Sequence, residues 1–198
     1  MFFLIILNKD RMTHGDLIRL RNTVGKNKSI PIKYESSILK ALAYYPELTE
    51  VKIDFRLVNY HPVPYGTMPA VSSILKPPVK RRYIITLQEE ANEPVNSVLF
   101  KNLPEEFRIA IIAHELVHVI QYHRRSVPEL LKMLGSYSIP AFKKEIEREA
   151  DMGAIDHGVG VELYKFYVFQ GSVPGYLKKR PGLVRYYMQP DEIRKFIK

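Results

Sequence analysis

The chain has 198 residues, of which 46% are hydrophobic; this is the size and composition of one ordinary folded domain and excludes a disordered tail. It has no Cys, so disulfides, thiol nucleophiles and Cys-ligated zinc or iron–sulfur sites are excluded, and any metal must rest on its 6 His and 21 Asp and Glu residues. The net charge of +9 admits an anionic partner, nucleic acid or a lipid surface, but it belongs to the two ends: residues 1–33 and 176–198 each carry seven Lys/Arg against two acids, and the middle is nearly neutral.

The apolar run from Phe2 to Leu7 is far short of the ~20 residues a bilayer needs. It also lacks the basic flank and small-residue cleavage site of a signal peptide. A buried strand is expected there, or residues upstream of a true start at Met12, and a cytoplasmic location follows as the default. Residues 34–45 place Ile38, Leu39, Ala41, Leu42 and Tyr45 at helical spacing, ended by Pro46. Residues 51–58 alternate Val51, Ile53, Phe55 and Leu57 with polar neighbours, which predicts a half-buried strand. Residues 60–78 are rich in Pro and read as a long loop; residues 82–87, β-branched and aromatic, read as a second strand entered from the basic patch Lys80, Arg81 and Arg82.

Asn102 is the expected opening of the longest helix, with Pro104 in its first turn and Glu105 at capping-box distance. Apolar residues from Ile109 to Ile120 lie almost all round it, so the helix must run through the core. A short helix over 128–134 follows. Another is expected from Ser138 to a stop at Gly158, and a further apolar helix over 161–169 is broken by Gly171 and Pro174. The Tyr-rich, basic end is divided by Pro181 and Pro190.

Inside the long helix stand His114, Glu115 and His118. Two His at i and i+4 lie one turn apart on one face, so both imidazoles reach one cation without backbone strain. Glu115, turned about 100° from His114, suits a general base rather than a third ligand. Three such groups in an apolar helix would each cost several kcal/mol if unpaired, so a partner element is required. The next long helix supplies it: Glu147, Ala150, Asp151 and Ala154 share one face, two carboxylates beside two small residues that allow close approach. Glu147 is then the candidate third ligand and Asp151 the acceptor for the free ring N–H of a ligand His. Glu145 and Glu149 are alternatives, but each lies about 200° from Glu147, toward Lys143, Lys144 and Arg148, and a solvated, salt-bridged face is preferred for them. His123 reads as a surface residue, His157 as a helix-terminal capping cation, and His14 and His61 as loop residues without a constellation.

The HELVH motif at 114–118, followed by EREAD with its Glu 29 residues after His118, resembles the zincin metallopeptidases and, within them, the gluzincins. Gln121 and Arg124 stand where a metzincin would have Gly and His, which excludes that branch. The resemblance covers residues 105–157. It implies Zn2+ held by His114, His118 and Glu147, Glu115 as general base and Asp151 supporting a ligand His. It further implies a compact α+β fold, a small mixed sheet packed on the HExxH helix and a second glutamate-bearing helix, with residues 82–87 as the substrate-facing edge strand. On this view 1–198 is a single domain: a basic N-terminal arm (1–33), a catalytic core (34–175) and a basic, Tyr-rich C-terminal segment (176–198). The expected partner is a protein or peptide substrate. The oxyanion donor is left open among Tyr164, Tyr167, Tyr176, Tyr186, Tyr187 and His157. Two other functions compete: a metal-binding regulatory or scaffold protein without turnover, and a nucleic-acid-associated protein gripping phosphate with Lys26, Lys28 and Lys33 at one end and Lys178, Lys179 and Arg180 at the other.

Overall fold

A computed structural model describes residues 13–197, so the strand expected over 2–7 lies outside the described residues. The order is α1 (His14–Asn22), β1 (Lys28–Ser29), α2 (Glu35–Leu42), β2 (Lys52–Val58), β3 (Tyr65–Pro69) and β4 (Arg82–Gln88), followed by a helical half. That half comprises α3 (Glu105–His123), α4 (Val127–Ser136), α5 (Pro140–Ala154), α6 (Gly160–Ser172) and three short helices, α7 (Tyr176–Lys179), α8 (Gly182–Tyr186) and α9 (Pro190–Ile193). Helices and one small mixed sheet make the fold α+β, as expected. Among the described residues no helix is long and apolar enough to cross a membrane.

The sheet order is β1-β2-β4-β3, with β1, β2 and β4 parallel and β3 antiparallel to β4. This corrects two expectations. The expected edge strand at 82–87 is an interior strand, β4, whose Tyr83, Ile85 and Leu87 are fully buried, as a strand flanked on both sides requires. The true edge is β3, inside the stretch read as a loop. Its sequence, Tyr-Gly-Thr-Met-Pro, has no β-branched alternation, and Pro69 is tolerated because an edge strand leaves one side of its ladder unpaired.

The strongest helix, α3, is buried without a break from Ala110 to Tyr122. It starts later than expected: Pro104 is its N-cap, while the Asn102 amide donates to the carbonyl of Asn96 at 2.8 Å instead of capping. At its far end Arg81, only 1% exposed, donates to the carbonyls of Tyr122 (2.9 Å) and Arg125 (2.7 Å). Arg81 is therefore a buried C-cap of α3 and not part of a surface basic patch, its charge opposing the negative end of the helix dipole. The described part of the basic arm is also largely engaged. Lys28 Nζ lies among the carbonyls of Lys26, Leu48, Thr49 and Val51 at 2.8–3.0 Å, Lys26 pairs with Glu50, and Lys33 with Glu89.

Helix α5 crosses α3 at close range through Ala150 and Ala154, both fully buried, and Gly153, where a Cβ would come within 2.7 Å of Val117. The helix expected to run to Gly158 ends at Ala154 and loosens into a π-turn, Ile155–Val159, in which Gly158 adopts a φ of 87° that only glycine takes without strain. The C-terminal segment folds back onto α5: Arg148 makes a paired contact with Glu192 at 2.9 Å through both terminal nitrogens.

Candidate metal centre

The crossing of α3 and α5 brings His114, His118 and Glu147 together as a buried group that could hold a metal ion. His114 Nε2 and His118 Nε2 stand 3.2 Å apart, and Glu147 Oε2 lies 3.3 Å from the first and 3.4 Å from the second. For an ion bound at about 2.0–2.1 Å with tetrahedral angles, neighbouring ligand atoms are separated by about 3.3–3.4 Å, so this triangle has the right edge. Glu147 Oε2 is also buried without an aligned hydrogen-bond donor among the described residues, a costly arrangement that a cation would relieve.

The outer nitrogens fix the inner ones. His114 Nδ1 faces Asp151 Oδ1 at 2.9 Å, and an ionised carboxylate only accepts. His118 Nδ1 faces Gln121 Oε1 at 2.8 Å, and the Gln121 amide is oriented because its nitrogen donates to the Ile146 carbonyl and to Glu149 Oε2, each at 3.0 Å. Both Nδ1 atoms therefore carry the proton, and both Nε2 atoms turn lone pairs toward the shared centre. Without a cation the cluster favours taking up a proton. Burial opposes charging His114, but its bond to Asp151 and the Glu147 carboxylate close by outweigh this and hold its pKa well above the usual imidazole value; Glu147 is held well below the usual carboxylate value by the two imidazoles, again against burial.

Each residue singled out by sequence has a definite place. Asp151, with no exposed surface, accepts from His114, from the Tyr167 hydroxyl at 2.6 Å and from the Met188 backbone N–H at 2.8 Å, which ties the C-terminal segment to the centre. Glu149 is exposed, as expected of a solvated face, and one of its oxygens also accepts from Gln121. His123 is half-buried against the Tyr83 hydroxyl, not a surface group. His14 opens α1, and His61, in a loop as expected, lines the cleft over the metal group. His157 caps the Gly153 carbonyl at 2.6 Å, bonds Glu47 at 2.8 Å and stacks on Tyr45, away from the centre. Of the candidate tyrosines, Tyr167 is spent on Asp151, Tyr176 is buried and pushed up to about 12, Tyr164 packs against the core and Tyr186 lies against Lys143 and Arg185. Tyr187 lines the cleft, its ring 5.5 Å from that of His114, and its hydroxyl makes no hydrogen bond among the described residues. Burial, then the nearby Glu147, hold it well above the usual phenol value, so it stays a donor at neutral pH.

The cleft above the group encloses about 300 Å³ and is walled on one side by β3. Glu115, between the two His, faces it and accepts from Thr67 Oγ1 of β3 at 2.7 Å. The pairing of β3 with β4, anchored by Ala70 N–H to Arg82 (2.8 Å) and Gln88 N–H to Pro64 (2.9 Å), turns the backbone groups of Tyr65 and Thr67 away from β4. Of these, the Thr67 carbonyl is taken by the Tyr122 hydroxyl at 3.3 Å. On the opposite wall the Tyr137 hydroxyl donates to Glu147 Oε1. Sequence reasoning missed Thr67, Gln121 and Tyr137. Gln121, one turn beyond His118 on the same helix, was the one with a local signal, since i+3 is within side-chain reach; Thr67 and Tyr137 had none. Comparison with family models, with curated proteins and with solved structures finds no match to this chain.

Proposed function

We propose that this chain is a zinc-dependent peptidase of the zincin kind, with His114, His118 and Glu147 holding the metal and Glu115 as general base. The observation that carries the proposal is the triangle of two imidazole nitrogens and one orphaned carboxylate oxygen with a second carboxylate, Glu115, facing the same cleft. Two imidazoles and one carboxylate oxygen, with no fourth protein donor in the group, are a donor set that suits zinc at a site left open to substrate. When bound, such an ion supplies Lewis acidity that polarises a carbonyl and lowers the pKa of water toward ~7.

The chain's own residues supply the rest. Thr67 donates to Glu115 Oε2 and so orients the carboxylate, leaving Oε1 for the proton of the attacking water and for its later delivery to the leaving amine. Tyr187, protonated and unengaged, suits the role of donor to the oxygen that gains charge as the carbonyl is attacked. An extended peptide would add to β3 through the outward N–H and C=O of Tyr65 and the N–H of Thr67. Pro69 has no N–H to give, which limits that ladder to a few residues. The depth of the ligands, at 5–6% exposure for the two His and 1% for Glu147, favours a second reading, a metal-holding scaffold without turnover.

The test is elemental analysis of the purified protein beside a chelator-sensitive digest of casein or a peptide library. Metal with digestion supports the peptidase, and metal without digestion selects the scaffold. Glu115→Gln should keep the metal and lower turnover by about 10²–10⁴-fold; a variant cleaving as fast as the parent would overturn the assignment of the base.

A further inference from the structure

The hairpin loop between β3 and β4 holds an anomaly. Three of the molecule's most exposed large apolar side chains lie on it: Val71 at 80%, Leu75 at 70% and Val79 at 81%. The loop is well ordered by its own bonds. Ala70 N–H to the Arg82 carbonyl closes it at 2.8 Å, turns run from Ser73 to Ala70, from Lys76 to Ser73 and from Lys80 to Pro77, and Ser73 Oγ bonds the Arg82 N–H at 3.0 Å. The buried Arg81 donates to the Lys76 carbonyl at 2.8 Å and fastens the loop to the end of α3. A rigid protrusion that turns three aliphatic tips to solvent forgoes burial that folding normally secures, and apolar surface rimmed by charge marks an interaction site.

The charge on the loop is of one sign. Residues 55–88 contain no Asp or Glu, and Lys76 and Lys80, both exposed, alternate with the aliphatic residues and make no ion pair among the described residues. Aliphatic tips between lysines match a surface that is apolar just below a layer of negative headgroups. We propose that this loop docks the protein on an anionic lipid surface, Val71, Leu75 and Val79 entering the interface while Lys76 and Lys80 pair with headgroup phosphates. The loop leaves β3 directly after Pro69, so docking would bring the cleft edge close to the bilayer and favour substrates at the membrane. The proposal rests on the loop alone and stands whether or not the cleft cleaves peptides.

Co-sedimentation of the full chain with vesicles tests it, using phosphatidylcholine alone and phosphatidylcholine containing about a third phosphatidylglycerol. Binding should appear with the anionic vesicles and weaken as salt rises. The triple variant Val71→Ser, Leu75→Ser and Val79→Ser should lower it at least tenfold. The double variant Lys76→Glu and Lys80→Glu should lower it by about tenfold or more and remove the preference for anionic vesicles. All five positions are exposed, so an unchanged melting temperature shows that the fold is intact. A parent that ignores both vesicle types, or a triple variant that binds as the parent does, would overturn the proposal. So would a parent that is dimeric in solution and becomes monomeric in the triple variant, since the loop would then join two copies.

Discussion

The two walls of the cleft are built on opposite principles. The helical wall, from α3 and α5, buries His114, His118, Glu147, Asp151 and Gln121, and nearly every polar atom there has a stated partner. The sheet wall, β3 and its hairpin loop, carries one polar contact to the centre, Thr67 to Glu115, and otherwise presents backbone and exposed apolar side chains. Groups that must hold a fixed geometry are placed where desolvation makes every misalignment expensive; the surfaces offered to other molecules stay cheap to wet. The helical wall is itself unequal, since a carboxylate backs His114 while a neutral amide backs His118.

The contrast can be broken in graded steps. Asp151→Asn should weaken metal binding by about 10–100-fold, measured by competition with a chromogenic chelator, because it removes the charge behind His114 and sets an amide N–H against a neighbouring donor. Gln121→Met should weaken it by about tenfold, less than Asp151→Asn, since only a neutral hydrogen bond is lost. Equal losses would show that the two imidazoles are supported alike. Thr67→Val should leave metal affinity within about twofold and cost roughly 1 kcal/mol of stability in urea, as one hydrogen bond to a carboxylate is removed from the sheet wall. A large loss of metal there would show that the walls act as one unit.

The smallest effect concerns the clasp of the C-terminal segment. Its two hydrogen bonds from Arg148 and the Gln189 N–H pull Glu192 from 4.5 to about 2. A carboxyl depressed in the folded state contributes stability that is complete above 4.5 and lost as pH falls toward 2. Glu192→Gln should therefore flatten the acid limb of the stability curve between those values, with a small loss of stability at neutral pH, where the clasp contributes in full, that vanishes toward pH 2. The pair is partly exposed and so screened by solvent, which keeps the effect small.

The helical wall was legible in the sequence and the sheet wall was not, for reasons seen in single residues. His114 and His118 declare themselves because helical periodicity is local and needs only four residues to place two rings on one face. Glu147 and Asp151 follow from the same period in α5, with Ala150 and Ala154 marking the side that approaches. For Glu149 the helix angle gave the exposed side, since it says which way a side chain leaves the axis, but not the neighbour met there; Gln121 reaches across from α3 to it. β3 was missed because its five residues, which follow one proline and end on another, carry no alternation, and its strand character comes from β4 beside it.

What the sequence alone determined is thus the candidate donor set, a cysteine-free group of two His and one Glu with a carboxylate between the two His, since each half is written within one helix turn. What only the tertiary structure decided is how those halves meet. It set the 3.2–3.4 Å triangle and placed Tyr187 and Tyr137 on the cleft, interior β4 behind edge β3, and Arg81 inside the molecule. These depend on contacts between residues 10 to 50 or more positions apart, such as Tyr137 with Glu147 and Thr67 with Glu115, and no local period encodes a contact of that span.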